Sequence, residues 1–167
     1  MLKSTQQTQI KLVAGVLDRS VPDLVRGMVE RFLVEEKNRI DAYFRTAIDE
    51  LGITLEAARG KIDHDPKSLQ TEAKSPLAGV DYPSNTRLVI NRMRLSVAEY
   101  ERIQLLALFE GKTVTNVVGR IVILDLEKYY TGEYLPQIKF HADRVRITVE
   151  DLEDLVRDGE KIPQPEK

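Results

Sequence analysis

Apolar side chains recur every three to four residues over most of the chain, which is the spacing of one face of a helix. The pattern predicts helices over residues 6–18 and 21–51. Ser20 is a favourable N-cap for the second of these helices, and Gly52 is a favourable stop. Residues 1–60 are therefore predicted to form a helical domain that serves oligomerisation or the binding of a partner.

The pattern changes at residue 61. Residues 61–86 hold three prolines and show no hydrophobic period, which predicts a linker. Residues 88–95 end in the alternation Arg-Met-Arg-Leu, which predicts a strand. The chain thus divides into an N-terminal helical part and a second part that begins with a strand.

Two helices are predicted to follow that strand. Ser96 and Glu99 have the spacing of a capping box, so one helix is expected to begin there. Gly111 is expected to end it, and Thr113 is expected to cap a second, valine-rich helix.

An acidic tail, residues 131–167, follows the two helices. Within it, residues 145–148 predict a short strand and residues 149–157 a short helix.

A weak repeat runs through this pattern. Residues 9–29 align without a gap on residues 102–122, and residues 144–155 echo residues 92–103. Two interpretations stay open: a duplication, or the spacing that any well-capped pair of helices shares. A duplication would make residues 1–60 a degenerate copy of the central pair. It would also predict an intrachain pseudo-dimer completed by the tail strand.

Composition narrows the classes of function. The chain has 167 residues and no cysteine, which excludes disulfides and thiolate chemistry. Two histidines without an acid–base constellation argue against an enzyme, and neither a metal nor a cofactor is expected. The run Asp63-His64-Asp65 is interpreted as a solvated loop, because no second cluster of ligands accompanies it.

Two features of the sequence bear on where in the cell the protein is located: its first residues and the length of its apolar runs. No apolar run has the length of a membrane span, and the residues after Met1 do not form a secretory signal. We therefore expect a cytoplasmic protein without a membrane partner, associated with the nucleoid if the host is bacterial.

Charge is distributed unevenly. The net charge is −2, but residues 87–130 carry seven basic and five acidic side chains, whereas residues 131–167 carry six and nine. The DNA backbone responds to local rather than total charge. A local DNA site in the central part is therefore compatible with the composition.

One segment resembles a known family. Residues 91–122 read NRMRLSVAEYERIQLLALFEGKTVTNVVGRIV. An alternating strand, Leu-Ser, Glu-Tyr-Glu, Leu-Ala, Gly-Lys-Thr and a valine-rich helix occur there in the order typical of the ribbon-helix-helix DNA-binding family, of the CopG, Arc and MetJ type. The resemblance covers residues 87–130, about a quarter of the chain.

The resemblance implies both a fold and a site. The fold would be mainly α: a ribbon-helix-helix dimer whose short strands pair between chains as an antiparallel β-ribbon, with an additional N-terminal helical domain. Arg92 and Arg94 would read bases from the ribbon in the major groove. Lys112, Thr113 and Thr115 would bind phosphate at the start of the second helix, where amides and the helix dipole favour anions.

The implied function is sequence-specific binding of double-stranded DNA by a homodimer or higher oligomer, as a transcriptional repressor. Two related roles stay open: a plasmid-maintenance accessory protein, and an antitoxin-type repressor whose N-terminal helices or acidic tail bind a protein. A different class also stays open, an interaction or assembly module that forms the ribbon-helix-helix dimer without binding DNA. Steep salt dependence would distinguish a DNA binder from such a module.

Overall fold

A computed structural model describes residues 4–82 and 94–166 of the chain. Within these two stretches the chain forms eight α-helices. They are α1 (Ser4–Val16), α2 (Val21–Glu35), α3 (Lys37–Leu51), α4 (Leu55–Lys61), α5 (Val97–Glu110), α6 (Val114–Tyr129), α7 (Leu135–Val145) and α8 (Val149–Arg157). A 3₁₀ turn at Pro66–Leu69 follows α4, and a π-helical turn at Tyr130–Tyr134 joins α6 to α7.

The prediction of a β-ribbon is wrong. The described residues contain no strand or sheet, so the ribbon-helix-helix fold is not formed, whereas the mainly α character is confirmed. Residues 88–93 of the predicted strand lie outside the described residues, and Arg94 and Leu95 form an irregular lead into α5. Because α2 packs on α6 within one chain, the core is built from helices without a paired ribbon. A two-stranded ribbon has little stability of its own.

The predicted tail strand is also wrong. Val145 ends α7, Arg146 has a φ of 59°, and Thr148 is the N-cap of α8. The Thr148 hydroxyl accepts the amide of Asp151 at 3.0 Å, and the Asp151 carboxylate accepts the amide of Thr148 at 3.4 Å. This capping box satisfies amides that an unpaired strand would leave open. The helix that follows occupies residues 149–157, as the sequence predicts.

The long helix predicted over residues 21–51 is two helices. Glu36, with φ −100° and ψ 13°, interrupts it between α2 and α3. The interruption falls in the charged stretch between Leu33 and Ile40, where no residue is buried. It lets α2 pack on α6 and α3 on α5, which one straight helix about 45 Å long could not do.

One turn geometry recurs four times between consecutive helices. A residue with positive φ ends the first helix, one residue follows, and a serine or threonine caps the next helix. The four turns are Asp18-Arg19-Ser20, Gly52-Ile53-Thr54, Gly111-Lys112-Thr113 and Arg146-Ile147-Thr148. In each, the amide of the middle residue bonds to the carbonyl five residues earlier, which is a Schellman closure.

The core joins residues that the sequence assigned to separate domains. Tyr43 and Phe44 of α3 meet Phe109 of α5 edge-on, with ring centroids 6.1 and 5.4 Å apart. On the other side of the molecule, α1 packs on α7 and α8. The helices of residues 4–61 therefore share one core with those of residues 97–157.

Residues 62–82, predicted as part of a linker, pack against this core. Leu69 and Leu77 are fully buried. The amide of Thr71 donates to the carbonyl of Phe109 at 2.8 Å, which ties the segment to the end of α5. The stretch is irregular, but buried side chains and backbone hydrogen bonds hold it in place.

Candidate nucleic-acid interface

Three of the residues predicted to bind DNA lie together at the start of α6. Gly111 ends α5 with a φ of 68°, and the exposed Lys112 follows it. The hydroxyl of Thr113 accepts the amide of Asn116 at 3.0 Å, and Thr115 is half-buried. The first amides of a helix have no acceptor within it, and its dipole is positive at this end. The turn therefore offers a cation, hydroxyls and free amides, the groups that bind a phosphate.

The fourth described residue of the predicted site lies elsewhere. Arg94 is exposed and precedes the N-cap of α5, Ser96, by two residues. Lys112 lies just beyond the other end of α5, a helix of 14 residues, so the two cations are separated by about 20 Å along it. One chain does not bring Arg94 beside Lys112. Arg92 lies outside the described residues.

The ion pairs divide the basic residues of this part of the chain into two groups. Arg102 pairs with Asp41 at 2.9 Å, Arg120 with Glu110 at 2.7 Å, and Lys128 with Glu35 at 3.4 Å. No ion pair is found for Arg94 or Lys112 within residues 4–82 and 94–166. Among the described residues of 87–130, the basic side chains available to a ligand are therefore Arg94 and Lys112, and both were predicted to contact DNA.

Most of α6 cannot enter a DNA groove. Every residue from Val117 to Ile123 is buried, and the helix reaches the surface only near its two ends, at the half-buried first turn and at the exposed Glu127 and Lys128. The phosphate-binding groups predicted for that first turn are compatible with this burial. A role for α6 as a recognition helix in a DNA groove is not compatible with this burial.

A buried ion pair that the sequence analysis did not predict joins α6 to the end of α5. Arg120 and Glu110 are joined by two hydrogen bonds, of 2.7 and 3.1 Å, and both side chains are less than a tenth exposed. The guanidinium also donates to the carbonyls of Val80 at 2.8 Å and Leu77 at 2.6 Å. Arg120 therefore fastens residues 77–80 onto α6. The signal in the sequence is an arginine inside the apolar run Val-Val-Gly-Arg-Ile-Val.

A second polar network joins α2 to the end of α6. Arg31 Nε lies 3.1 Å from Asp125 Oδ2, and Arg31 Nη1 lies 2.6 Å from Glu133. Tyr134 accepts a hydrogen bond from Arg31 and donates one to Asp125 at 2.7 Å. The guanidinium lies 3.9 Å from the ring centroid of Tyr129. The network fixes the π-helical turn that leads into α7.

Burial governs the titration of this network. Desolvation raises the pKa of the Asp125 carboxyl, although its bonds to Tyr134 and Arg31 act in the opposite direction. Desolvation also raises the pKa of Tyr134, and the hydrogen bond to Asp125 adds to that rise. The polar groups of this network have their partners within it. We therefore interpret it as a structural feature that stabilises the fold and not as a ligand site.

Exposed apolar side chains mark a different surface. Val97 is 87% exposed and Tyr100 is 45% exposed, one helical turn apart at the start of α5. A valine and a tyrosine at this spacing form a small apolar face on a helix. The face lies beside Arg94 and at the opposite end of α5 from Lys112.

Two further features bear on the class of protein. None of the helices in the described part of the chain combines the length and apolar character that crossing a membrane requires. Asp63, His64 and Asp65 are exposed, and no cluster of three potential metal ligands occurs among the described residues.

Comparisons with known proteins place the chain in no class. No protein-family model matches it, and no curated protein or solved structure matches it either. None of these comparisons bears on the resemblance drawn from residues 91–122, which stays a prediction.

Proposed function

We propose that the chain is a non-enzymatic protein that binds double-stranded DNA, with phosphate contacts at Lys112, Thr113 and Thr115 and a further contact at Arg94. The observation that carries this proposal is the division among the basic residues. Arg102, Arg120 and Lys128 are engaged by the fold, whereas Arg94 and Lys112 are exposed and unpaired in the described part of the chain.

The geometry gives each contact a distinct role. The turn before α6 contacts the DNA backbone, since bonds from helix amides and a lysine to phosphates do not depend on the base sequence. Arg94 is the base-reading candidate, since arginine forms paired hydrogen bonds with guanine in the major groove. A separation of about 20 Å corresponds to about six base pairs of rise at 3.4 Å each. Repression of transcription from such a site is part of the same proposal.

The test is fluorescence anisotropy on the DNA upstream of the coding region and on a random duplex, at 50 and 200 mM salt. The variant Arg94→Gln/Lys112→Gln is compared with Arg45→Gln/Lys67→Gln, which removes the same charge from exposed residues outside the site. Losing the phosphate contact of Lys112 lowers the slope of log affinity against log salt by about one, and losing Arg94 removes the preference for the upstream DNA. We expect both changes only for the first variant. Absence of wild-type binding to either duplex at 50 mM salt would overturn the proposal.

A second candidate function has its own observation. Val97 and Tyr100 are exposed on one face of α5, as expected of an interaction or assembly module that binds a protein and not DNA. Sedimentation of wild type and of Val97→Ser/Tyr100→Ser tests self-association through this face. Oligomers that the double variant loses, together with no binding to duplex at low salt, would favour this function over the first.

A further inference from the structure

A short segment after α8 folds back across two other helices. This segment, residues 161–164, is called the strap below. Gln164 Nε2 donates to the carbonyl of Gly15 in α1 at 3.0 Å. His141 Nε2 in α7 lies 2.7 Å from the carbonyl of Pro163. Because a carbonyl only accepts, His141 donates through Nε2. The strap is therefore held by one hydrogen bond to each helix.

Ile162 of the strap supplies a branched side chain at Gly15, a position of α1 that has no side chain of its own. Ile162 packs against Gly15, and a methyl group at Gly15 would overlap the end of the Ile162 side chain. Ala14 and Val156 line the same groove, which has a volume of about 710 Å³ and stays largely open beside the strap. Gly15 lies in the last turn of α1 and has no positive φ that would require a glycine, so its presence where Ile162 docks points to a requirement for space.

The groove has the parts of a peptide-binding site. Gly15 leaves a pocket for a branched apolar side chain, and its carbonyl accepts a side-chain amide. His141 of α7 lies outside the lining of this groove, is 6% exposed, and donates to the carbonyl of Pro163. Every residue has such a carbonyl, so this bond positions the segment, and a proline there leaves no backbone amide without a partner. Extended proline-containing segments are bound in this manner with little loss of entropy.

We propose that the groove between α1 and α8, together with His141 of the neighbouring α7, is a recognition site for an extended segment in which a branched apolar residue is followed by proline and a side-chain amide. The strap occupies this site in cis. A partner carrying the same sequence of groups competes with it, and the strap raises the partner concentration needed, because a tethered segment is present at an effective concentration on the order of millimolar.

The test uses the full chain with the groove emptied by Ile162→Asp. A labelled peptide with the sequence of residues 160–166 is titrated into wild type and into Ile162→Asp, and its anisotropy is measured. We expect the emptied chain to bind at least about tenfold more tightly than wild type, because the competing strap has lost its anchoring side chain. The same peptide with aspartate in place of its isoleucine should not bind.

A pair of glycine variants locates the binding. Gly15→Ala in the emptied chain should abolish binding, because the added methyl fills the isoleucine pocket. Gly27→Ala in the emptied chain is the matched control, since a methyl group at Gly27 would meet only Arg19 Nη1, at an ordinary contact distance of 3.8 Å. Equal binding to both glycine variants, or no binding to an emptied chain that keeps the wild-type melting temperature, would overturn the proposal. If Ile162→Asp unfolds the chain, Ile162→Ser replaces it in the same comparison.

The two histidines give a second readout. His141 should be in the Nε2–H tautomer in wild type and lose this preference in Ile162→Asp, and the peptide should restore it. His64 is exposed and serves as the reference in the same nitrogen-detected NMR spectrum. A His141 tautomer that does not respond to Ile162→Asp or to the peptide would contradict the role assigned to it.

Discussion

The α1–α2 pair and the α5–α6 pair have the same turn and different surroundings. Arg19 and Lys112 each donate their backbone amide to an alanine carbonyl five residues earlier, at 2.8 Å. Ser20 and Thr113 each cap the next helix through a side-chain oxygen. The equivalence holds residue for residue at a spacing of 93 positions. This is the geometry that either a duplication or well-capped helix pairs would give.

The difference between the pairs comes from an exchange of two neighbouring residues. α2 reads Arg26-Gly27 where α6 reads Gly119-Arg120. Arg26 makes surface ion pairs along its own helix, at 3.8 Å. Arg120 is buried against Glu110, while Gly119 is covered by the ring of Tyr82. One exchange thus turns a surface arginine into the anchor of residues 77–80.

The two turns also differ in their chemical neighbourhood. Arg19 lies in the strap groove together with Asp18 and Glu160, whose carboxylates repel a phosphate. Lys112 is exposed and has no ion pair within the described residues. The same turn geometry therefore lies beside the strap groove in the α1–α2 pair and forms an open basic turn in the α5–α6 pair.

The largest effect is expected at the buried ion pair. Glu110→Gln leaves the Arg120 guanidinium buried without its countercharge, which should lower the free energy of unfolding by about 3–5 kcal/mol. Glu30→Gln, which removes a surface partner of Arg26, should change it by less than about 0.5 kcal/mol. Urea unfolding followed by circular dichroism measures both. Similar losses for the two variants would contradict the assignment of Arg120 as the anchor of residues 77–80.

The residues with positive φ should respond with opposite signs. Gly111→Ala adds a side chain in the left-handed region and pushes against Gln70, so a loss of about 1–2 kcal/mol is expected. Asp18 has a φ of 53°, so Asp18→Gly should be neutral or stabilise by up to about 1 kcal/mol. Thermal melts of the two variants provide the comparison. A loss of stability at both positions would show that the turns are not equivalent in energy.

The two caps should respond alike. Ser20→Ala and Thr113→Ala each remove the acceptor of one helix amide, at 3.2 and 3.0 Å, and should each cost about 1 kcal/mol. Denaturant midpoints of the single variants test this. A cost confined to one variant would mean that the surroundings, and not the shared turn, determine the stability of these helix starts.

The smallest effect concerns pH. Burial raises the pKa of Asp125 in the folded protein above its ordinary value of 3.8, so folding favours the protonated form. The raised pKa of Asp125 contributes to the free energy of unfolding below pH 3.8, and this contribution is lost as the pH rises through the pKa of the folded protein. Asp125→Asn should remove that part of the pH dependence. Melting temperatures of both proteins from pH 4 to 7 test this; parallel profiles would contradict it.

The sequence predicted helix ends well and long-range packing poorly. Ser96, Gly111 and Thr113 mark the ends of α5 and α6, because caps and left-handed stops are local chemistry. The break at Glu36 was missed, because both halves of residues 21–51 have an amphipathic pattern and only packing on different partners separates them. The ribbon was predicted from an alternation of four residues, which is too little to outweigh helix packing.

The candidate site was predicted only in part. Lys112, Thr113 and Thr115 do lie together, because all three belong to one turn. Arg94 does not join them, because the predicted arrangement relied on a paired ribbon. The partners of Arg120 and the strap groove depend on contacts between residues far apart in the chain, such as Gly15 and Ile162; the arginine in an apolar run signals a buried charge, but no local pattern identifies what it contacts.

The most direct test of the account compares the two equivalent turns on DNA. Affinity for duplex is measured as a function of salt for Lys112→Gln and Arg19→Gln. We expect Lys112→Gln to lower the slope of log affinity against log salt by about one and Arg19→Gln to leave it unchanged. An unchanged slope for Lys112→Gln, or an equal decrease for Arg19→Gln, would contradict the claim that the turn before α6 is the DNA contact.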